Sequence, residues 1–298
     1  MKGEKLTPYL FILPFTVIFV VFIGFPFLYA LYLSFHRVVD LSNVFGGLQF
    51  VGLKNYTSLL GGFDFWWSFG LTLVYALLLI PSNIILALIL ASALSKDSPV
   101  NRLYRTLFFL PFVLDVFVVG VVWTLIYTTP YGVLPQLLEK IGIGVPAGGF
   151  LGNPYLALPS IAFAIVLKNI GFGIVLFTAA FGNIPREVYE AAELDGATGW
   201  KKTYYITLPL VKPIIAFLTV VGFMGALSGF AEVYAMTGGG PTVRVAGHIA
   251  KATKITGYLL FEKLQMLKLG PASALSFILL IFALFFSMLS LKLLKRAD

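Results

Sequence analysis

The sequence predicts an all-α polytopic membrane bundle with six transmembrane helices. Three observations predict it. First, hydrophobic residues make up 59% of the 298 residues and charged residues 11%, against ~45–50% apolar and about 25% charged in a soluble domain. Second, the apolar residues gather in six runs, each near the ~20 residues that a helix needs to cross a ~30 Å hydrocarbon core. Third, those runs do not alternate apolar with polar, whereas barrel strands are only ~10 residues long and alternate. With no cysteine and only two histidines, His36 and His248, thiolate, disulfide and iron–sulfur chemistry is excluded and no metal site is expected. The net charge is +8. Because the basic residues stand between apolar runs, they point to a lipid bilayer and not to a nucleic-acid partner.

The first run, 8–34, follows Lys2 and Lys5 as a signal peptide would. It is too long for a signal core, and "LYLSFHRVVD" offers no small-residue cleavage site, so it reads as a retained span. The second run, 69–94, is preceded by Trp66 and Trp67, placed as an interfacial aromatic belt. The third, fourth, fifth and sixth are 107–127, 156–181, 211–233 and 272–291. Pro14, Pro26, Pro81, Pro111, Gly120, Gly171, Gly173, Gly222 and Gly225 fall inside these runs. A bundle tolerates such residues, and small ones let helices approach closely. No repeat or low-complexity linker interrupts the chain, which reads as one membrane domain over 1–298.

Orientation follows the positive residues. With both termini inside, the inward segments carry twelve Lys and Arg in about 56 residues, and the outward segments eight in about 97. The density favours N-in and C-in. Five of the eight outward cations lie in 235–270, without an evident role.

The most informative segment is not a span. "GNIPREVYEAAELDGATGWKKTYYITLPLVKP", 182–213, is polar and falls on the inward side. Pro185 suits a first helical turn, where its missing N–H is not needed. Glu187 and Glu190 complement the positive helix start. Val188, Ala191, Ala192 and Leu194 form an apolar stripe, and Gly196 can take the left-handed conformation that ends a helix. A second short helix is expected from 198 to about 206, stopped by Leu208–Pro209. The segment is therefore a helix–turn–helix at the membrane face. A solvated loop would not need the stripe, the small alanines and the turn glycine together, and that set suits docking into a partner's groove.

"EAAELDGATGWKKTYYITLP" resembles the EAA signature of ABC-importer permeases, with Glu190, Ala191, Ala192, Gly196, Ile206, Leu208 and Pro209 at the signature's fixed positions. "PYLFILPFTVIFVVFIGFPFLYALYLSF", "FVGLKNYTSLL", "FAEVYAMTGGGP" and "LGPASALSFILL" extend the resemblance to the binding-protein-dependent sugar permeases of the maltose and glycerol-3-phosphate type. "VLKNIGF" departs from it, since that family usually has an aromatic near Lys168. The resemblance implies the type I ABC importer permease fold, a multi-pass place in the cell membrane, a second homologous permease subunit, two cytoplasmic ATPase subunits and an extracellular solute-binding protein. It implies a sugar as the substrate, a di- or oligosaccharide, with glycerol-3-phosphate or a polyol as the alternative. It places ATPase coupling in the loop 182–210, on Arg186, Glu187, Tyr189, Glu190, Ala191, Ala192, Leu194, Asp195, Gly196 and Ala197. ATP and Mg would be bound by the ATPase partners. This chain has no phosphate-binding G-x-x-x-x-G-K-[ST] loop, and no cofactor of its own is implied. The Gly-rich 237–241 reads as a turn.

Seven polar residues at or near membrane depth are candidates for the substrate pathway: Asn83, Asp115, Lys168, Asn169, Ser228, Glu232 and Tyr234. Asp115 and Lys168 both fall ~12 Å from the inner face at 1.5 Å per residue. A lone charge there is costly, so they are expected to pair, directly or through water; separate exposure to a water-filled cavity, or snorkelling, is the equal alternative. A secondary transporter would be expected to show internal symmetry and discontinuous helices, neither of which is evident. An intramembrane enzyme would need a catalytic cluster, and no such set is present.

Overall fold

The computed structural model describes residues 7–40 and 46–295. Lys2, Lys5 and Arg296, counted above among the inward cations, lie outside the described residues. The chain forms two compact units. One takes the described residues up to Phe63 with Leu260–Ile281, and the other takes Asp64–Leu259 with the last helix from Phe282 onward.

In the first unit, the opening span is a helical rod made of Thr7–Phe19, Val20–Gly24 and Phe25–Ser34. Its middle piece is a π turn, in which the Phe25 N–H reaches back five residues to Val20 O. Pro26 supplies the reason. Proline has no N–H for the carbonyl four residues back, and its ring crowds that carbonyl, so a wider turn relieves both problems. None of the rod's most apolar stretch is buried, which leaves that surface to the bilayer. After Ser34 the chain folds back through an antiparallel pair of short strands, His36–Val38 and Leu48–Phe50, into the helix Lys54–Leu60. Buried Asn55 donates to Ser34 O (2.8 Å) and His36 O (3.0 Å). It thereby satisfies carbonyls that the end of the first span leaves without helical donors.

The second unit holds two long continuous helices, Phe63–Ala93 and Ala157–Gly182. Its core gathers Ala87, Ala91, Ile170, Ile174, Phe177, Val211 and Leu218. Glycines bring backbones together here. A Cβ on Gly173 would lie 2.6 Å from Ala87 Cβ, one on Gly222 2.7 Å from Ile80, and one on Gly171 inside the backbone of Phe108. The close approach expected of small residues is thus realised at these positions.

Four helices are long and apolar enough to cross a membrane, and six if each of two bent pairs counts as one span. The expected third span is broken: Pro99–Val113 and Val116–Tyr127 meet at 101°. Leu114 and Asp115 take extended ψ values of 145° and 139° at the break. The expected stop at Leu208–Pro209 is also corrected. Helix continues through Gly199–Lys202, a π turn at Thr203–Thr207 and Leu208–Leu210, then bends by 62° into Lys212–Ser228. Pro209 follows its π turn at the same offset as Pro26 follows the first, and the Leu208 N–H reaches back to Thr203 O. A further short helix, Ala231–Met236, follows a break at Gly229 and Phe230. The absence of discontinuous helices argued above against a secondary transporter therefore does not hold.

The 235–270 loop contains a hairpin, Thr242–Val245 with His248–Lys251, turned by Ala246 (φ 47°) and Gly247 (φ 83°). Two consecutive positive φ values match the twist of a two-residue hairpin. Cations of this loop have structural partners: Lys254 pairs with Asp64 at 3.6 Å, and the Lys251 ammonium lies 5.4 Å from the Tyr258 ring centre.

Candidate functional site

The polar segment forms a braced hairpin. Its first limb is the helix Arg186–Leu194, with Pro185 at the N-cap, one position earlier than expected, and Glu187 in the first turn. Gly196 adopts φ +76°. Its N–H donates to Glu193 O (3.0 Å), and the Ala197 N–H donates to Ala192 O (2.8 Å). This double closure is the glycine-dependent helix ending read from the sequence. Three contacts tie the first limb to the second. Lys202 Nζ donates to Glu193 Oε1 at 2.8 Å, the same ammonium sits 4.7 Å from the Tyr189 ring centre, and the Tyr189 hydroxyl lies 3.5 Å from Thr207 Oγ1.

The apolar stripe is divided between two faces. Ala192 is buried and Val188 lines a hollow with Ile184, Leu210 and Ile214. Ala191 and Leu194 point outward, with Leu194 90% exposed. Together with Glu187 and Glu190, also exposed, they form an outward stripe at i, i+3, i+4 and i+7. Arg186, Asp195 and Gly196 are exposed beside it.

The second limb passes through fully buried Val211 into Lys212–Ser228. That helix forms one wall of a cavity of about 430 Å³. Asn83, Asn169 and Glu232 line the cavity, with Phe112, Phe172 and Phe217 among its aromatic walls. Glu232 is 6% exposed and accepts a hydrogen bond from the hydroxyl of Tyr75 at 3.2 Å. Gly229 makes room for this carboxylate, since a Cβ there would collide with Glu232 Oε1.

Of the seven pathway candidates, the cavity brings together Asn83, Asn169 and Glu232. Lys168 is buried at its edge, where Nζ donates to Phe112 O at 3.0 Å and lies 5.2 Å from the Phe112 ring centre. Asp115 is exposed and accepts the Phe117 N–H at 2.8 Å as a helix cap. Direct pairing of Asp115 with Lys168 is therefore overturned: among the described residues no ion pair joins them. Lys168 instead serves a carbonyl at the end of a broken helix, where cations are favoured. Ser228 bonds back to Met224 O at 2.7 Å, and Tyr234 stacks on Phe117 at 6.2 Å; neither lines the cavity. Tyr75 is the residue that the sequence reading missed. One tyrosine among fourteen carries no mark of its hydrogen bond until Glu232 is placed beside it.

A family model described as binding-protein-dependent transport system inner membrane component matches residues 83–297. A probable ABC transporter permease protein of Bacillus subtilis, YurN, is 32% identical over 99% of this chain and 98% of its own length. The arabinooligosaccharides transport system permease protein AraP of the same organism is 30% identical, covering 98% of this chain and 89% of its own. Among solved structures, a chain of a bacterial alginate ABC transporter, in complex with alginate pentasaccharide-bound periplasmic protein, superposes with a TM-score of 0.79. It is 21% identical and covers 99% of this chain and 96% of the other, a likeness of fold.

Proposed function

The chain belongs to the family of binding-protein-dependent transport system inner membrane components, and from that premise we propose that it is the multi-pass subunit through which an ATP-driven importer passes a di- or oligosaccharide. The observation that carries the reading is mechanical continuity. An exposed stripe, Glu187, Glu190, Ala191 and Leu194, sits on a braced hairpin whose second limb runs through buried Val211 into a wall of the 430 Å³ cavity. A push on the stripe moves the cavity wall, because packed cores shift between discrete arrangements and do not absorb displacement smoothly. Motion of this kind, gripped from the cytosolic side, opens the cavity alternately to either face. The cavity pairs aromatic faces with a few convergent polar groups, the mixture that positions a small polar ligand. Relatives named for oligosaccharide transport support the sugar class.

In this reading the assembly contains a second homologous permease, two ATPase subunits that bind ATP and Mg and perform hydrolysis, and an extracellular solute-binding protein. Both termini and the 182–210 loop face the cytosol. The test is co-purification with the cognate ATPase and uptake of labelled oligosaccharide. Glu190→Lys and Gly196→Asp are expected to abolish both while the chain remains in the membrane. ATPase retention with unchanged uptake in both variants would overturn the coupling role. Uptake of glycerol-3-phosphate or a polyol in preference to oligosaccharides would correct the substrate class.

A further inference from the structure

The first unit holds a cleft of about 520 Å³ that the transport reading does not use. Arg37, Lys54 and Lys268 line it, together with Asn55, Ser58 and the first turn of the last helix, Leu269–Gly270–Pro271. All three cations are exposed, and among the described residues none of them forms an ion pair and no carboxylate lines the cleft. Each would be favoured elsewhere, since like charges gathered in one concavity repel. The positive end of a 27-residue helix adds to the same field.

Leu267 gives the lining an exposed apolar edge, and Phe50 and Leu53, next in the chain to Val51 and Lys54 of the lining, are exposed as well. Leu267 is the more telling residue because its φ is +56°. It closes the helix Thr256–Gln265 with the pattern usually given to glycine, its N–H on Leu264 O (2.9 Å) and the Lys268 N–H on Lys263 O (3.0 Å). A leucine in the left-handed region costs about 1–2 kcal/mol, yet its side chain is 56% exposed and gains no core packing there. Strain of this sort persists where the side chain has a use on the surface.

The cleft also has a defined level. Arg37 comes three residues after the first span ends at Ser34, and Lys268 comes one residue before the last begins at Leu269. Both cations thus sit in the headgroup layer, beside hydrocarbon. Three cations around a polar hollow with an apolar rim match an acidic phosphate that carries acyl chains, better than they match a soluble anion, which has no use for the rim. We infer that the Arg37–Lys54–Lys268 cleft holds the phosphate of an anionic phospholipid, with Leu267 and Leu53 against its acyl chains.

The test uses the purified transporter assembly in nanodiscs of phosphatidylcholine with 30% phosphatidylglycerol as an experimental choice, roughly the order of anionic content that gives a strong surface potential. Phosphatidylglycerol retained after mild detergent exchange is counted by native mass spectrometry. Wild type is expected to retain it over phosphatidylcholine. The triple variant Arg37→Gln, Lys54→Gln, Lys268→Gln is expected to lose about a hundredfold in that preference, the scale for three cations at a membrane surface. The charge-keeping triple Arg37→Lys, Lys54→Arg, Lys268→Arg is expected to keep it, which separates loss of charge from loss of fold. Lys268→Gln alone, at an exposed position, gives an intermediate loss if the inference holds. Equal retention by wild type and the neutral triple overturns it. So does complete displacement of the lipid from wild type by millimolar inorganic phosphate, which would mark a soluble-anion site. A neutral triple that keeps its lipid but binds the solute-binding protein more weakly overturns it in favour of a protein-docking face.

Discussion

Asp115 accepts the Phe117 N–H as a cap, and asparagine caps a helix as well as aspartate does. Asp115→Asn is therefore expected to leave thermal stability in detergent nearly unchanged, while Asp115→Ala lowers it by about 1 kcal/mol. Equal damage from both would restore a charge role for Asp115. At Tyr75 the loss is of a different kind. Tyr75→Phe removes the donor to the buried Glu232 carboxyl, and a buried polar group left without its partner costs about 1–3 kcal/mol. The measurement is the thermal midpoint, followed by uptake KM, which is expected to rise because Glu232 faces the cavity. Asn83, Asn169 and Glu232 were legible from sequence as polar groups at membrane depth. Asp115 was legible as unusual, but its role as a helix cap was not. The signal that would have corrected it is local: an aspartate directly before Val116–Phe117–Val118 is an N-cap pattern, and a cap implies a helix start inside the run.

Among the elements, run length placed the long helices well, because bilayer thickness dictates it. The breaks were harder to see. Nothing in an apolar run distinguishes Leu114 at a bend from a leucine within a helix, and the short strands around Ala246–Gly247 were hidden in a loop judged by its charge. Glycines sort by what surrounds them. A Cβ on Gly171 would run into the backbone of Phe108, whereas one on Gly70, inside Phe63–Ala93, would meet nothing within 4 Å beyond its own helix backbone. Gly171→Ala is expected to destabilise by about 1–3 kcal/mol, as overpacking does. Gly70→Ala is expected to stabilise by roughly 0.5–1 kcal/mol through helix propensity. Thermal unfolding of the two variants side by side checks the contrast, and a like sign for both would mean that the close approach at Gly171 is not rigid.

For the whole molecule, the hairpin and the cavity are distinct sites joined by one helical path through Val211. Weakening that joint should separate fuel use from transport. In the proposed assembly, Val211→Gly is expected to leave ATP hydrolysis near wild type while uptake falls by about tenfold, the effect of a little over 1 kcal/mol lost from the coupling. The readout is the number of ATP molecules hydrolysed per sugar imported. If both rates fell together, Val211 would be acting on assembly and not on transmission. The polar hairpin within 182–210 was the part most legible in sequence, since polar residues between two membrane runs stand out; the path from it to the cavity required the bend to be seen.

The π turn at Thr203–Thr207 also sets an angular phase. A π turn carries one residue more than the α pitch requires, and one residue corresponds to about 100° of rotation. The outward stripe is aimed by that extra residue as much as by its own side chains. Deleting a single residue from 203–206 would leave every residue of the stripe in place and swing the first limb by more than a quarter of a circle, so that in the proposed assembly an intact key would no longer face its lock.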